Sequence, residues 1–164
     1  MKRLSVLCLV VLLNVSKPVT AQIPSLVVPD FTFFKLDDTP FSYKHMLPHR
    51  PSLFSFFDVT CSHCQSAMKM LSSNYQQLKE SGVYLVTMDR KDAVLKFLKV
   101  YGPNFLNKQN VFILQDLRQE FIPKFQPVKY PSVFLYDEHR KLVVYENDDK
   151  KMLMLLKRVK GLQQ

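Results

Sequence analysis

Apolar runs and helical spacings alternate along the chain, and their order predicts a mixed α/β fold. The run over 52–57 is rich in Leu and Phe and is typical of a strand buried on both faces. Two cysteines follow it, and then apolar residues recur at steps of three, four and seven, which indicates one face of a helix. That face is formed by Cys64, Ala67, Met68, Leu71, Tyr75 and Leu78. The cysteines therefore lie where a strand gives way to a helix.

The same patterns predict elements over the rest of the chain. A β-hairpin is expected over 31–43, a loop over 44–51, and an end to the first helix at Ser81-Gly82. A buried strand over 83–88 and a helix over 94–101, stopped by Gly102-Pro103, follow. A short strand over 111–114 precedes a weakly helical stretch over 117–125 that contains Pro123, then a hairpin over 132–145 and a last helix capped by Asp148. Strands that alternate with helices build a parallel sheet, to which the hairpins add antiparallel strands.

The N-terminus has the pattern of a secretory signal. Lys2 and Arg3 precede an apolar run over 4–15, and Val19 and Ala21 supply small residues before a cleavage point at Gln22. The apolar run is shorter than the roughly 20 residues that span a bilayer, so an uncleaved membrane anchor is the minor alternative. We expect residues 1–21 to be a signal peptide, which discards Cys8, and residues 22–164 to form one domain.

Charge changes this interpretation little. The chain carries a formal net charge of +9, and removal of the signal leaves 20 basic and 14 acidic residues. No arginine-rich stripe or aromatic ladder indicates a nucleic-acid partner. One modest cluster of basic residues comprises Lys150, Lys151, Lys157, Arg158 and Lys160. It favours a solvated helix face, and a bias toward acidic partners is the alternative.

The candidate chemistry lies in Cys61-Ser62-His63-Cys64. A helix start leaves N–H groups unpaired and carries partial positive charge, and cysteines there have pKa values of roughly 3.5–7.5 instead of about 8.5. Residues three apart in a first helical turn are within disulfide reach. A disulfide between residues so close in sequence constrains little of the unfolded chain, so it would add little stability. It is better suited to a redox role than to a structural one. Cys61, at the exposed tip, is the expected nucleophile, and Cys64, one turn in, is the expected resolving thiol.

This motif, Tyr130-Pro131-Ser132 before a hairpin, and the closing strand-turn-strand-helix resemble the thioredoxin superfamily. Pro29-Asp30-Phe31 and the first hairpin resemble its exported TlpA-like or redoxin-type branch. The resemblance implies a thioredoxin-like mixed sheet flanked by helices, with an extra N-terminal hairpin and a cis-proline at Pro131. It also implies that Cys61 and Cys64 form a redox disulfide, that Pro131 faces it, and that Tyr130 contacts an extended substrate.

The chain departs from the family pattern in three places. Thr60 stands where many relatives have Trp, so we include it with Tyr130 as a substrate contact. Ser55 replaces the buried Asp of thioredoxin, and Lys129 replaces a Gly often found before the cis-proline. These differences concern the recognition surface and the route of the proton more than the thiol chemistry.

His63 is expected to stabilise the Cys61 thiolate, although it could also be an indifferent exposed side chain. The resemblance points the same way, so we expect a couple more oxidising than thioredoxin, which has a potential of about −270 mV. The alternative is a metal-binding, copper-handling or partner-binding module in which Cys61, Cys64 and His63 are ligands. His45, His49 and His139 are the possible fourth ligands of such a site.

Two other points complete the functional prediction. Peroxidatic cysteines of related redoxins lie in a Pro-x-x-x-Thr-x-x-Cys frame, and Phe54 and Asp58 occupy its Pro and Thr positions here. Asp58 and Asp89 could assist proton transfer to Cys64 or serve as solvated or capping carboxylates. We therefore predict an exported thiol-disulfide oxidoreductase, periplasmic or secreted, that needs no cofactor. Its partners would be protein thiols and disulfides and an upstream redox partner, with a membrane only through an uncleaved signal segment.

Overall fold

The computed structural model describes residues 23–163, so the predicted signal peptide at 1–21 lies outside the described part. The described chain contains seven strands and four α-helices. The strands are β1 (Thr32–Lys35), β2 (Pro40–Ser42), β3 (Ser52–Phe56), β4 (Gly82–Thr87), β5 (Val111–Gln115), β6 (Ser132–Tyr136) and β7 (Leu142–Glu146). The helices are α1 (Ser62–Ser73), α2 (Lys91–Tyr101), α3 (Phe121–Phe125) and α4 (Met152–Gly161). Over residues 23–163 no helix has the length and apolar character needed to cross a membrane.

The strands form one mixed sheet in the order β2-β1-β5-β4-β3-β6-β7. β3, β4 and β5 are parallel, and β6 pairs antiparallel with β3. The N-terminal hairpin of β1 and β2 extends the sheet beyond β5, to which β1 is antiparallel. The predicted mixed sheet is confirmed, and β3 and β4 are buried along their whole length, as their apolar runs indicate.

The sheet separates two cores of different composition. Alternation with a period of two sends Leu53, Val83 and Val133 to one face, where α1, α2 and α4 pack. It sends Phe54, Tyr84 and Phe134 to the opposite face, where α3 and the N-terminal hairpin pack. Eight phenylalanines contribute to this aromatic core: Phe31, Phe33, Phe41, Phe54, Phe56, Phe121, Phe125 and Phe134.

Several helix ends differ from the sequence prediction. α1 ends at Ser73, well before Ser81-Gly82, and Gly82 begins β4. A 3-10 turn over Tyr75–Gln77 follows α1 and keeps Leu78 buried, so the apolar spacing continues beyond the helix itself. α3 is a short helix that tolerates Pro123 because this residue lies in its first turn, where a backbone N–H has no helical partner. Asp148 caps a 3-10 turn over Asp149–Lys151, which leads directly into α4.

Candidate active site

Cys61 is the N-cap residue of α1, at the end of the loop that follows β3. Its backbone is extended, with φ −76° and ψ 115°, and its sulfur accepts the backbone N–H of Cys64 at 3.3 Å. The sulfur therefore receives one of the N–H groups that a helix start leaves unpaired, in the partial positive charge of the helix end. Both features place the Cys61 sulfur where a helix start receives an electron-rich group. No acidic residue lies in the first turn of α1 to oppose them.

Cys64 lies one turn further along α1 in a different environment. It is 1 % exposed and packs within the core that α1 shares with α2 and α4. Burial raises the pKa of the Cys64 thiol well above its ordinary value, and the negative charges of Cys61 and Asp58 add to this effect. Both cysteines are free thiols, and only Cys61 is partly accessible. The structure thus brings the two sulfurs together in one turn and makes them chemically unequal.

Carboxylates hold the loop that carries Cys61. Asp58 Oδ1 accepts the backbone N–H of Thr60 at 2.7 Å and its hydroxyl at 2.6 Å. Asp89, from the end of β4, accepts the backbone N–H of Val59 at 2.9 Å and the hydroxyl of Thr87 at 2.8 Å. Both side chains therefore have a structural task in the loop. Thr60 is exposed beside Cys61, with its polar atoms turned toward Asp58.

His63 points toward the last helix. Its Nδ1 lies 2.9 Å from Oδ1 of Asp149, 86 residues away in sequence, and the His63 side chain is 68 % exposed. Sequence reasoning missed Asp149, since no local pattern marks a partner so distant. Across residues 23–163, no group of three or more His, Cys, Asp or Glu side chains is arranged to hold a metal ion. The geometry therefore brings no histidine ligand to the two sulfurs.

The Tyr130–Pro131 peptide bond is cis, as the resemblance implies. Phe56 at the end of β3 pairs with Ser132 at the start of β6, so Pro131 lies at the same sheet edge as the loop to Cys61. The Tyr130 ring packs on Phe56, with ring centroids 4.9 Å apart. Burial, followed by the charges of nearby carboxylates such as Asp58, raises the pKa of Tyr130 to about 12, so its hydroxyl stays neutral.

An apolar cavity of about 240 Å³ adjoins Tyr130. Ile122 and Val128 line it and are 42 % and 52 % exposed. The remaining lining residues are Phe56, Pro127, Lys129 and Tyr130. Pro127-Val128, two apolar residues shortly before Tyr130, was the sequence signal that could have revealed it. The cavity offers room for an apolar side chain beside the position where the resemblance places a substrate.

The remaining positions of the family pattern are also defined. Ser55 is 2 % exposed within β3, so a small buried hydroxyl occupies the place of thioredoxin's buried Asp. Lys129 is exposed at the edge of the apolar cavity.

The AhpC/TSA family model matches residues 24–145 of the chain. No curated protein sequence matches this chain significantly.

Solved structures share its fold at low sequence identity. A secreted Mycobacterium tuberculosis disulfide oxidoreductase, described as homologous to E. coli DsbE, superposes with a TM-score of 0.65 at 19 % identity, covering 80 % of this chain and 96 % of that one. The thioredoxin domain of a Bacteroides vulgatus thiol-disulfide oxidoreductase superposes with a TM-score of 0.65 at 20 % identity, covering 84 % of this chain and 98 % of that one. A peroxiredoxin-like protein from Aquifex aeolicus superposes with a TM-score of 0.66 at 16 % identity, covering 88 % of this chain and 90 % of that one. These matches confirm the predicted thioredoxin-like fold.

Proposed function

The chain belongs to the AhpC/TSA family within the thioredoxin superfamily, and we propose that it is an exported thiol-disulfide oxidoreductase that acts on protein substrates through Cys61 and Cys64. One observation carries the proposal: Cys61 caps α1 and accepts the N–H of Cys64, while Cys64 itself is buried and protonated. A pair of this kind supplies one sulfur ready to attack and a second held in reserve.

The exchange proceeds in two balanced steps. The Cys61 thiolate attacks one sulfur of a substrate disulfide, the substrate S–S bond breaks, and the other substrate sulfur leaves as a thiolate that takes up a proton. Cys64 then loses its proton and attacks the Cys61 sulfur, which releases the first substrate sulfur as a thiol. The substrate is reduced by two electrons, and the protein keeps a Cys61–Cys64 disulfide. The reverse sequence oxidises a substrate, and an upstream redox partner restores the starting state.

Residues around the pair would position the substrate. Tyr130 and Pro131 lie at the sheet edge beside the loop to Cys61, and a substrate chain laid along this edge would place its cysteine near the nucleophile. The neutral Tyr130 ring and the apolar cavity next to it would receive side chains that flank that cysteine. Thr60 would contact the substrate on the other side of Cys61, since it is exposed there. His63 would lie two residues from the nucleophile with its ring held at Asp149.

Export rests on the N-terminal sequence. Lys2 and Arg3, the apolar run over 4–15 and the small residues Val19 and Ala21 favour a cleaved signal peptide and a periplasmic or secreted domain. A solved structure of similar fold is described as that of a secreted disulfide oxidoreductase.

Two alternative functions have less support. A metal-binding module needs more ligands than the two sulfurs, and His63 pairs with Asp149 instead of joining them. A peroxidase is raised by the family assignment, but Phe54 is a core residue and Asp58 bonds Thr60, so the two frame positions of a peroxidatic cysteine have other tasks here.

Trapping of mixed disulfides tests the proposal. In the cells that make the protein, Cys64→Ala should accumulate mixed disulfides with exported proteins through Cys61, and Cys61→Ala, as the matched control, should accumulate few. Capture by Cys61→Ala alone would reverse the assignment of the nucleophile. The purified protein should show two titratable thiols after dithiothreitol. Turnover of hydrogen peroxide faster than protein disulfides would favour the peroxidase, and a stoichiometric metal ion would favour the binding module.

A further inference from the structure

The outward face of α4 and of the 3-10 turn that leads into it is basic and exposed along its whole length. We call it the basic face, and it comprises Lys150, Lys151, Leu153, Met154, Lys157, Arg158 and Lys160, all exposed. The opposite face of α4 is buried in the core, where Met152, Leu155, Leu156 and Val159 are at most 1 % exposed. The exposed face therefore has no partner within the described chain.

The basic face begins beside the active site. His63, in the first turn of α1, bonds Asp149 at 2.9 Å, immediately before Lys150. At the other end of the two helices, the side-chain amide of Gln163 donates to the carbonyl of Gln77 at 3.1 Å. The two helices thus lie side by side and run in the same direction. A protein that presents a sulfur to Cys61 would meet the first turn of the basic face.

The charge on this face is unusually one-sided. From residue 150 to residue 163 there are five basic residues and no acidic one. Within residues 23–163, the one ion pair of the face joins Lys151 to Asp148 at 4.0 Å. The neighbouring carboxylate of Asp149 is occupied by His63. The other four cations are therefore available to a partner.

Further along the face, a shallow cavity of about 500 Å³ lies between α4 and the 3-10 turn that follows α1. Lys157 and Lys160 line it together with Gln76, Gln77 and Gln163. The side-chain amides of Gln77 and Gln163 already donate within the protein, so the two lysine ammonium groups are the donors suited to carboxylate oxygens. Acidic side chains of a partner would find bonding groups there.

The apolar content of the face distinguishes a protein from a membrane. Helices that lie in a membrane surface bury a broad apolar face in the lipid, but the apolar face of α4 is already in the core. Two exposed apolar side chains remain, Leu153 at 49 % and Met154 at 65 %, surrounded by cations. An apolar centre with a polar rim is the arrangement of a protein–protein interface.

We propose that the basic face docks an acidic protein whose cysteine exchanges a disulfide with Cys61. This inference rests on the proposed function and names the class of partner that the same site serves. Leu153 and Met154 contact apolar residues of the partner, and the surrounding cations pair with its carboxylates. Because attraction between opposite charges raises association rates about 10-fold or more, the preference appears in the second-order rate of exchange at low salt.

The test uses two peptides of equal length, each with one cysteine in a mixed disulfide with 2-mercaptoethanol. One has a tail of Glu and Leu, and the other has Gln in place of every Glu. The reduced protein converts each mixed disulfide to peptide thiol and 2-mercaptoethanol while Cys61 and Cys64 become a disulfide. The acidic peptide should react about 10-fold faster than the neutral one at low salt, and the difference should disappear near 0.5 M NaCl, where screening acts over about 4 Å.

Matched charge reversals locate the effect. Lys150→Glu/Lys157→Glu/Lys160→Glu should lose the preference and keep the rate with the neutral peptide. Lys91→Glu/Lys96→Glu/Lys99→Glu changes the net charge equally on the exposed side of α2 and should keep the preference. Equal loss in both variants would show a net-charge effect and would overturn the proposal. Binding to phosphatidylglycerol vesicles that needs Lys150, Lys157 and Lys160, without any preference for the acidic peptide, would overturn it in favour of a membrane.

The neutral small molecule hydroxyethyl disulfide separates this inference from the proposed function. If the reduced protein fails to react with it and with both peptides, the proposed oxidoreductase activity itself is wrong. If all three disulfides react and the acidic peptide has no advantage, the activity stands and the docking surface is wrong.

Discussion

The most direct consequence of the site is that its two cysteines should differ greatly in reactivity. We expect iodoacetamide to modify the reduced protein at Cys61 long before Cys64 at pH 7. Cys61 is partly exposed and receives the N–H of Cys64, whereas Cys64 is 1 % exposed and its pKa is raised by burial. Since the thiolate is the reacting species, ionisation and access act in the same direction.

The minimum size of the difference follows from ionisation alone. A thiol with an ordinary pKa of about 8.5 is roughly 3 % thiolate at pH 7. Burial raises the pKa of Cys64, so its thiolate fraction is smaller still. Each unit by which burial raises the pKa of Cys64 lowers its thiolate fraction, and hence its alkylation rate, about tenfold, so the rate of Cys61 should exceed that of Cys64 by at least about 30-fold.

Peptide mass spectrometry after timed alkylation measures both rates in one sample. The same protein in urea serves as the control, because unfolding removes the helix and the burial and should bring the two rates within a few-fold of each other. Modification of Cys64 at a rate equal to or above that of Cys61 in the folded protein would refute the assignment of nucleophile and resolving thiol.

Three further predictions concern charge, packing and pH. His63→Ala should make the couple more reducing, by less than about 30 mV in a glutathione equilibrium, because the His63 ring is held at the carboxylate of Asp149; a larger shift contradicts this. Gly82→Ala places a Cβ 2.5 Å from the hydroxyl of Tyr84 and should destabilise the protein by about 1–3 kcal/mol in urea, with exchange at Cys61 unchanged. Burial raises the pKa of Cys64 and of Tyr84, so the folded state keeps protons that the unfolded state releases. The free energy of unfolding of the reduced protein should therefore be constant below about pH 9 and fall above it. The fall should be larger than that of the oxidised protein, in which Cys64 carries no proton. A urea midpoint that stays constant up to pH 10.5 would contradict this.

Local patterns were sufficient for most of the fold. The runs that became β3 and β4 are buried on both faces, so their sequences are continuous apolar stretches with recognisable ends. Gly102 ends α2 as predicted, since it combines a flexible backbone with a following proline. The end of α1 was misplaced because the 3-10 turn after Ser73 keeps the same apolar side inward, and a spacing pattern does not distinguish the two kinds of helix.

The site was predictable where it depends on neighbours in sequence. Cys61 as N-cap and Cys64 one turn inside follow from a strand-to-helix junction, and both positions are confirmed. The Asp149 partner of His63 and the support of Val59 by Asp89 join residues from separate elements. Such contacts depend on how the elements pack, which no local periodicity records.

These distant contacts alter the expected redox chemistry. The thiolate of Cys61 gains from the helix start and from the N–H of Cys64, and these terms are independent of His63. His63 by itself would add to them, but its ring is held at Asp149, and the carboxylate of Asp58 lies in the loop directly before Cys61. Since opposite charges around one sulfur largely offset each other, the motif histidine contributes little net field. The oxidising character of the couple should therefore come from the position of Cys61 on α1 and the burial of Cys64 more than from His63.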